Sequence, residues 1–164
     1  MSEKKKLKAS DGVICEVDAK ILNKSKLLKG LVEDFKDDKD EIPLNQIESN
    51  ILKLIIEYLE HYVDSEPKAI PKPFPEKTDE EFFKSILNDD WTYNYLKKIW
   101  ENKDAIKLVN AANYLQIDGL VDLLAALLAH HLSNCEIEEA RTKFGIVSDM
   151  SEEERAEYDK YPLD

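Results

Sequence analysis

The chain is short of cysteine, glycine, basic charge and long apolar runs, and each shortage removes a class of function. Two cysteines in 164 residues, Cys15 and Cys135, cannot staple a secreted scaffold. Residues 1–8 are polar and lysine-rich, without the apolar core of a signal peptide, so the expected compartment is reducing and intracellular, cytoplasmic and/or nuclear. Four glycines leave little material for a phosphate-cradling loop, and no P-loop, GxGxxG, HExxH or GxSxG pattern occurs. The longest uncharged apolar run, 123–132, is about half the ~20 residues a membrane-spanning helix requires. Basic residues number 23 against 35 acidic ones, a net charge of −12 that repels phosphate backbones and anionic lipid. The expected partners are therefore protein surfaces, basic or neutral, with no nucleic acid, no membrane, no cofactor and no metal.

What is present centres on residues 111–132, AANYLQIDGLVDLLAALLAHHL. One helical pattern ends at Gln116 to Gly119 and a second, almost wholly apolar, begins. In a chain that is 35% charged, the absence of Asp, Glu, Lys and Arg from 123 to 132 requires that this helix be shielded from water on more than one side. Leu120, Leu123, Leu124, Leu127, Leu128 and Leu132 make a stripe, while Ala125, Ala126 and Ala129 let another backbone approach.

Before this segment, residues 1–6 read as a frayed charged leader, and Ser10-Asp11-Gly12 reads as the turn of a hairpin between 7–9 and 13–17. Asp18 and Ser25 are N-cap candidates for helices at 19–22 and 26–34, the second with a stripe of Leu27, Leu28, Leu31, Val32 and Phe35. The charge run 36–41 reads as a solvated loop, and Pro43 gives the short strand 42–44 an edge position or a strand end. Ile51, Leu52, Ile55, Ile56 and Leu59 predict a core helix from about 49 to 62. Four of the six prolines fall at 67, 71, 73 and 75, excluding helix interior and central strand there. A short helix is expected at 80–87, and the rings of 91–100, WTYNYLKKIW, must pack against something. Helical patterns resume from 104, again at about 136–143 and from Ser151, where three glutamates favour a helix N-terminus. Residues 136–164 hold half the net charge.

Catalytic and metal readings fail on the residues. His131 and Cys135 are spaced i, i+4, yet His130 and His131 point apart on a helix and a four-ligand set is missing. Carboxylate pairs such as Glu152 and Glu153 carry no specificity in an acidic chain. A base-stacking role for 91–100 conflicts with the net charge. The expectation is a protein without enzymatic activity.

In order along the chain, SDGVICEVD, IPL, ILKLIIEYLEHYVD, AANYLQIDGLVDLL and EEARTKFGIVSDM followed by SEEER resemble the Skp adaptors of SCF ubiquitin ligases. The resemblance implies an α+β chain: a BTB/POZ fold, a short sheet with helices, carrying a C-terminal helical extension that binds F-box proteins. Its expected parts are a first half at 1–63, a proline-rich excursion at 64–90, a second half at 91–132 and the extension at 133–164. It implies a non-catalytic adaptor that bridges a cullin to F-box proteins for substrate ubiquitylation. The cullin-facing positions match Asn113 and Tyr114. The F-box-facing positions match Leu120, Leu123, Leu124, Leu127 and Leu128, then Ile137, Ala140, Phe144 and Ile146. For each leucine, core and interface remain alternatives.

The chain departs from the family in four places. Residues 74–88, FPEKTDEEFFKSILN, differ from the family's acidic loop; Asp118 replaces a common lysine; Glu152 follows Ser151 where some members carry a hydroxylated proline; and the chain finishes YDKYPLD in place of a tryptophan-bearing segment, with Tyr158 or Tyr161 as substitutes. These departures keep a second reading open, a divergent or elongin-C-like BTB adaptor that binds a non-F-box partner or self-associates.

Overall fold

In the computed structural model the described residues are 4–34, 41–75, 79–87, 89–133, 135–147, 150–158 and 160. The chain divides into two compact units, Met1–Asn134 and Cys135–Asp164. The first holds a three-stranded sheet and seven of the helices described below; the second holds two.

Strands β1 (Lys4–Ala9) and β2 (Ile14–Asp18) form the expected hairpin, antiparallel with Leu7 opposite Cys15, and Gly12 supplies the positive φ of the turn. Strand β3 (Glu41–Leu44) runs parallel to β1, so the order is β2-β1-β3 and Pro43 does lie in an edge strand. The leader reading of residues 1–6 is corrected: Lys4 to Lys6 belong to β1. Strand alternation turns Lys5, Leu7 and Ala9 inward, and Lys5 is buried to 1% exposure alongside Leu7.

Helices α1 (Ala19–Leu22) and α2 (Lys26–Asp34) follow at once. Asp18 caps α1 by accepting from the Lys20 amide at 2.9 Å, and Ser25 caps α2 through the Leu28 amide at 3.1 Å. Phe35 and 36–40 lie outside the described residues. Helix α3 (Ser49–His61) buries Ile51, Leu52, Ile55, Tyr58 and Leu59 as its periodicity requires.

After the proline-bearing segment come α4 (Glu80–Leu87) and α5 (Asp90–Glu101), so the aromatic run is a helix. Asp89 starts it, accepting from the Trp91 and Thr92 amides at 3.1 and 3.3 Å. Its rings pack inward and sideways: Trp91 lies between His61, stacked at 3.6 Å, and Tyr95, stacked at 4.9 Å. Helices α6 (Ala105–Tyr114) and α7 (Asp118–Leu132) complete the first unit, and their leucines join those of the sheet and α3 in one core.

The second unit contains α8 (Ile137–Phe144) and α9 (Glu152–Tyr158). Gly145 stops α8 at φ 64°, and the Ile146 amide closes the end on the Arg141 carbonyl at 2.9 Å. Ser151 and Glu154 form a reciprocal capping box at the start of α9. Arg155 reaches Glu138 at 2.7 Å, tying α9 to α8.

Candidate functional site

The end of α6 presents the two residues matched to a cullin-facing role. Asn113 and Tyr114 are both exposed on its last turn, while Ala111, Ala112 and Leu115 around them are buried. The helix closes sharply because the Ile117 amide returns to the Ala112 carbonyl at 3.0 Å and Gln116 takes the left-handed φ of 56°. Ser25 holds this end in place, donating its hydroxyl to the Leu115 carbonyl at 2.5 Å while capping α2. Asp118 is exposed at the start of α7 and pairs with Lys26 at 2.6 Å.

Tyr114 also forms one side of a groove of about 220 Å³ between α6 and the start of α3. The buried side chains of Ile47, Ile51 and Ala111 lie at its floor, and Lys107 bridges to Glu48 at 3.0 Å beside it. An apolar floor with a tyrosine wall and a polar rim has the composition of a protein-contact pocket.

Helix α7 has three faces with different surroundings. Leu120, Leu123, Leu124 and Leu127 enter the core, none more than 2% exposed. These four were matched to the F-box side, and the structure gives them the core alternative. A second face, Gly119, Asp122, Ala126 and His130, is followed by the proline-bearing segment. A Cβ at Gly119 would lie 3.2 Å from Pro67 Cγ and 2.8 Å from the Tyr58 hydroxyl. Lys72 reaches Asp122 at 3.0 Å, and Phe74 meets Phe83 edge to face, which stacks on His130 at 4.5 Å. Residues 67–74 therefore act as a strap along α7. The third face is Val121, Ala125, Leu128 and Leu132, at i, i+4, i+7 and i+11; none is buried and none is charged. Of the matched α7 leucines, only Leu128 lies on it. Sequence reasoning missed Val121 and Leu132 as surface members, although their spacing to Leu128 carried the signal.

In the second unit, Ile137, Ala140 and Phe144 share one side of α8 by their spacing, with Ile137 67% and Ile146 60% exposed. Val147 and Met150 are exposed beside Ile146 in sequence and were not singled out. Tyr161 and the Tyr158 side chain, the proposed tryptophan substitutes, lie outside the described residues. Among the described residues no helix is long and apolar enough to cross a membrane.

Residues 3–64 match the Skp1 family, tetramerisation domain. Over 156 residues, 95% of this chain and 90% of its counterpart, the sequence is 33% identical to the S-phase kinase-associated protein 1 homolog of Tetrahymena thermophila. The chain belongs to the Skp1 family. It is also 33% identical to SKP1-like protein 4 of Arabidopsis thaliana over 163 residues, 96% of this chain and 94% of the other. With the E3 ubiquitin ligase complex SCF subunit sconC of Arthroderma benhamiae it shares 28% identity over 148 residues, 90% and 86% of the two chains. The α+β architecture, a short sheet covered by helices and followed by a helical extension, is the Skp1 POZ arrangement.

Proposed function

We propose that this Skp1-family chain is a non-catalytic adaptor of an SCF-type ubiquitin ligase, in the cytoplasm and/or nucleus, bridging a cullin to F-box proteins. The observation that carries the reading is the end of α6. Asn113 and Tyr114 are exposed there beside an apolar-floored groove, on a turn held by Ser25, so two side chains free for a partner stand on a rigid frame. The SCF subunit name of one relative supports the assignment.

On the F-box side, the proposal assigns Ile137, Ala140, Phe144 and Ile146 in the second unit to contacts of their own, and in the first unit it assigns a surface to Leu128 with Val121 and Leu132 on α7. Leu120, Leu123, Leu124 and Leu127 support that surface from beneath. An uncharged stripe with exposed aliphatic residues fits a partner that buries it.

The test measures binding of purified chain to the N-terminal domain of a cullin and, separately, to F-box proteins from the same cell. Replacing Asn113 and Tyr114 together by alanine abolishes cullin binding and leaves F-box binding intact. A folded chain that binds no F-box protein would sink the adaptor reading and favour a divergent adaptor with a different partner. Loss of both interactions in the double variant would refute the separation of the two surfaces.

A further inference from the structure

A cavity of about 250 Å³ opens among α4, α5 and α7, away from the groove beside Tyr114. We propose that it receives the guanidinium of an arginine side chain presented by a basic protein partner. The walls are aromatic: Phe83 from α4, one face of which stacks on His130 at 4.5 Å, with Tyr93 and Trp100 from α5, Trp100 stacking one face on His131 at 3.6 Å. Ring faces attract cations, and a planar, weakly hydrated guanidinium stacks on them better than an ammonium does. Tyr93 already draws one cation, the Lys84 ammonium, which sits 5.3 Å from its ring centroid.

Two carboxylates complete the chemistry. Glu80 and Glu101 line the same cavity, and Glu80 accepts the Tyr93 hydroxyl hydrogen bond. That bond, then partial burial, then the charges of Glu80 and Glu101 hold the Tyr93 phenol above its ordinary range. Burial disfavours the charged form of His130 and holds it below the usual histidine range, although Glu80 and Asp79 pull the other way.

Size and charge select the occupant. The cavity is smaller than the ~300–1,000 Å³ of small-molecule sites, so it has room for one side chain. A surface of net charge −12 draws basic partners. Lys97 also lines the cavity and opposes the ligand, but it is exposed on a flexible stem. Lys84 is offset by Asp90 at 2.9 Å. The inference stands independently of the adaptor reading, because neither Asn113, Tyr114 nor the open stripe of α7 contributes to the cavity.

The test titrates N-acetyl-arginine amide into the full chain and follows the indole N–H signals of Trp100 and Trp91 by NMR, with N-acetyl-citrulline amide as the uncharged isostere. Trp100 shifts saturably with arginine and does not with citrulline, while Trp91 serves as the distant control. Glu101→Gln weakens arginine binding and Lys97→Met strengthens it, each by about two- to fivefold, the scale of exposed cation–π and ion-pair contributions. Both positions are exposed, and circular dichroism checks that each variant is folded. Equal binding of citrulline overturns the proposal in favour of an uncharged occupant. Arginine shifts that do not saturate, or that ignore both substitutions, reduce it to diffuse attraction by an acidic surface, and absence of any shift refutes it.

Discussion

The hydroxyl of Ser25 points its proton at the carbonyl of Leu115, 2.5 Å away and 90 residues later in the chain, while the same oxygen accepts from the Leu28 amide at 3.1 Å. One fully buried serine thus starts α2 and finishes α6. Ser25→Ala leaves the Leu115 carbonyl without this donor and α2 without its cap, and each loss costs about 1–2 kcal/mol. Urea denaturation should show a lower midpoint with an unchanged slope. Because the bond holds the turn after Tyr114, the variant should also bind cullin more weakly than its residual fold would suggest.

Gly119 tests the strap. A Cβ there meets the Tyr58 hydroxyl at 2.8 Å and Pro67 at 3.2 Å. Gly119→Ala should destabilise by about 1–3 kcal/mol, the range of overpacking. Tyr58→Phe removes the closest atom, so the double variant should be more stable than the sum of the single effects. A double-mutant cycle on thermal or urea midpoints measures that coupling, and strict additivity would remove the clash as the cause.

The faces of α7 separate stability from binding. Leu124→Ala empties a fully buried position and should cost about 2–5 kcal/mol. Leu132→Ala, on the open stripe, should change stability by about 0.5 kcal/mol or less yet weaken F-box binding measurably. Calorimetric melting beside surface plasmon resonance distinguishes the two. If Leu132→Ala binds F-box proteins like the parent chain, the stripe is not their contact.

The acid limb of stability should involve Asp89. Burial alone raises its carboxyl, but hydrogen bonds from the Thr92 hydroxyl, the Trp91 and Thr92 amides and the Tyr62 hydroxyl outweigh this and hold it below the ordinary aspartate value of 3.8. A depressed folded-state value stabilises above the unfolded value and is lost as pH falls through the folded one. Stability should therefore decline below about pH 4. Asp89→Asn removes this titration and should flatten that limb in urea melts collected from pH 5 to 2.

Much of the fold was legible because its signals were local. The Asp-Gly turn, the caps Asp18 and Ser25, the proline in an edge strand and the periodicity of α3 each depend on neighbours in sequence. Two features were not legible. Lys5 reads as solvated, and only its alternation with Leu7 and Ala9 reveals a buried strand position. The division of α7 into faces depends on a strap contributed from 67–74, about 50 residues earlier, whose contacts with Gly119 and Asp122 no periodicity encodes. Composition required shielding on more than one side of that helix. It could not say that the chain itself supplies two of the three.

That two-sided cover has a kinetic consequence. With the core on one side and residues 67–74 on another, α7 is held straight before anything docks, so a partner meeting Val121, Leu128 and Leu132 finds a finished helix and need not order one. Association should then run at the rate of rigid docking, insensitive to helix-promoting cosolvents, and variants along the stripe should differ mainly in how fast the complex comes apart.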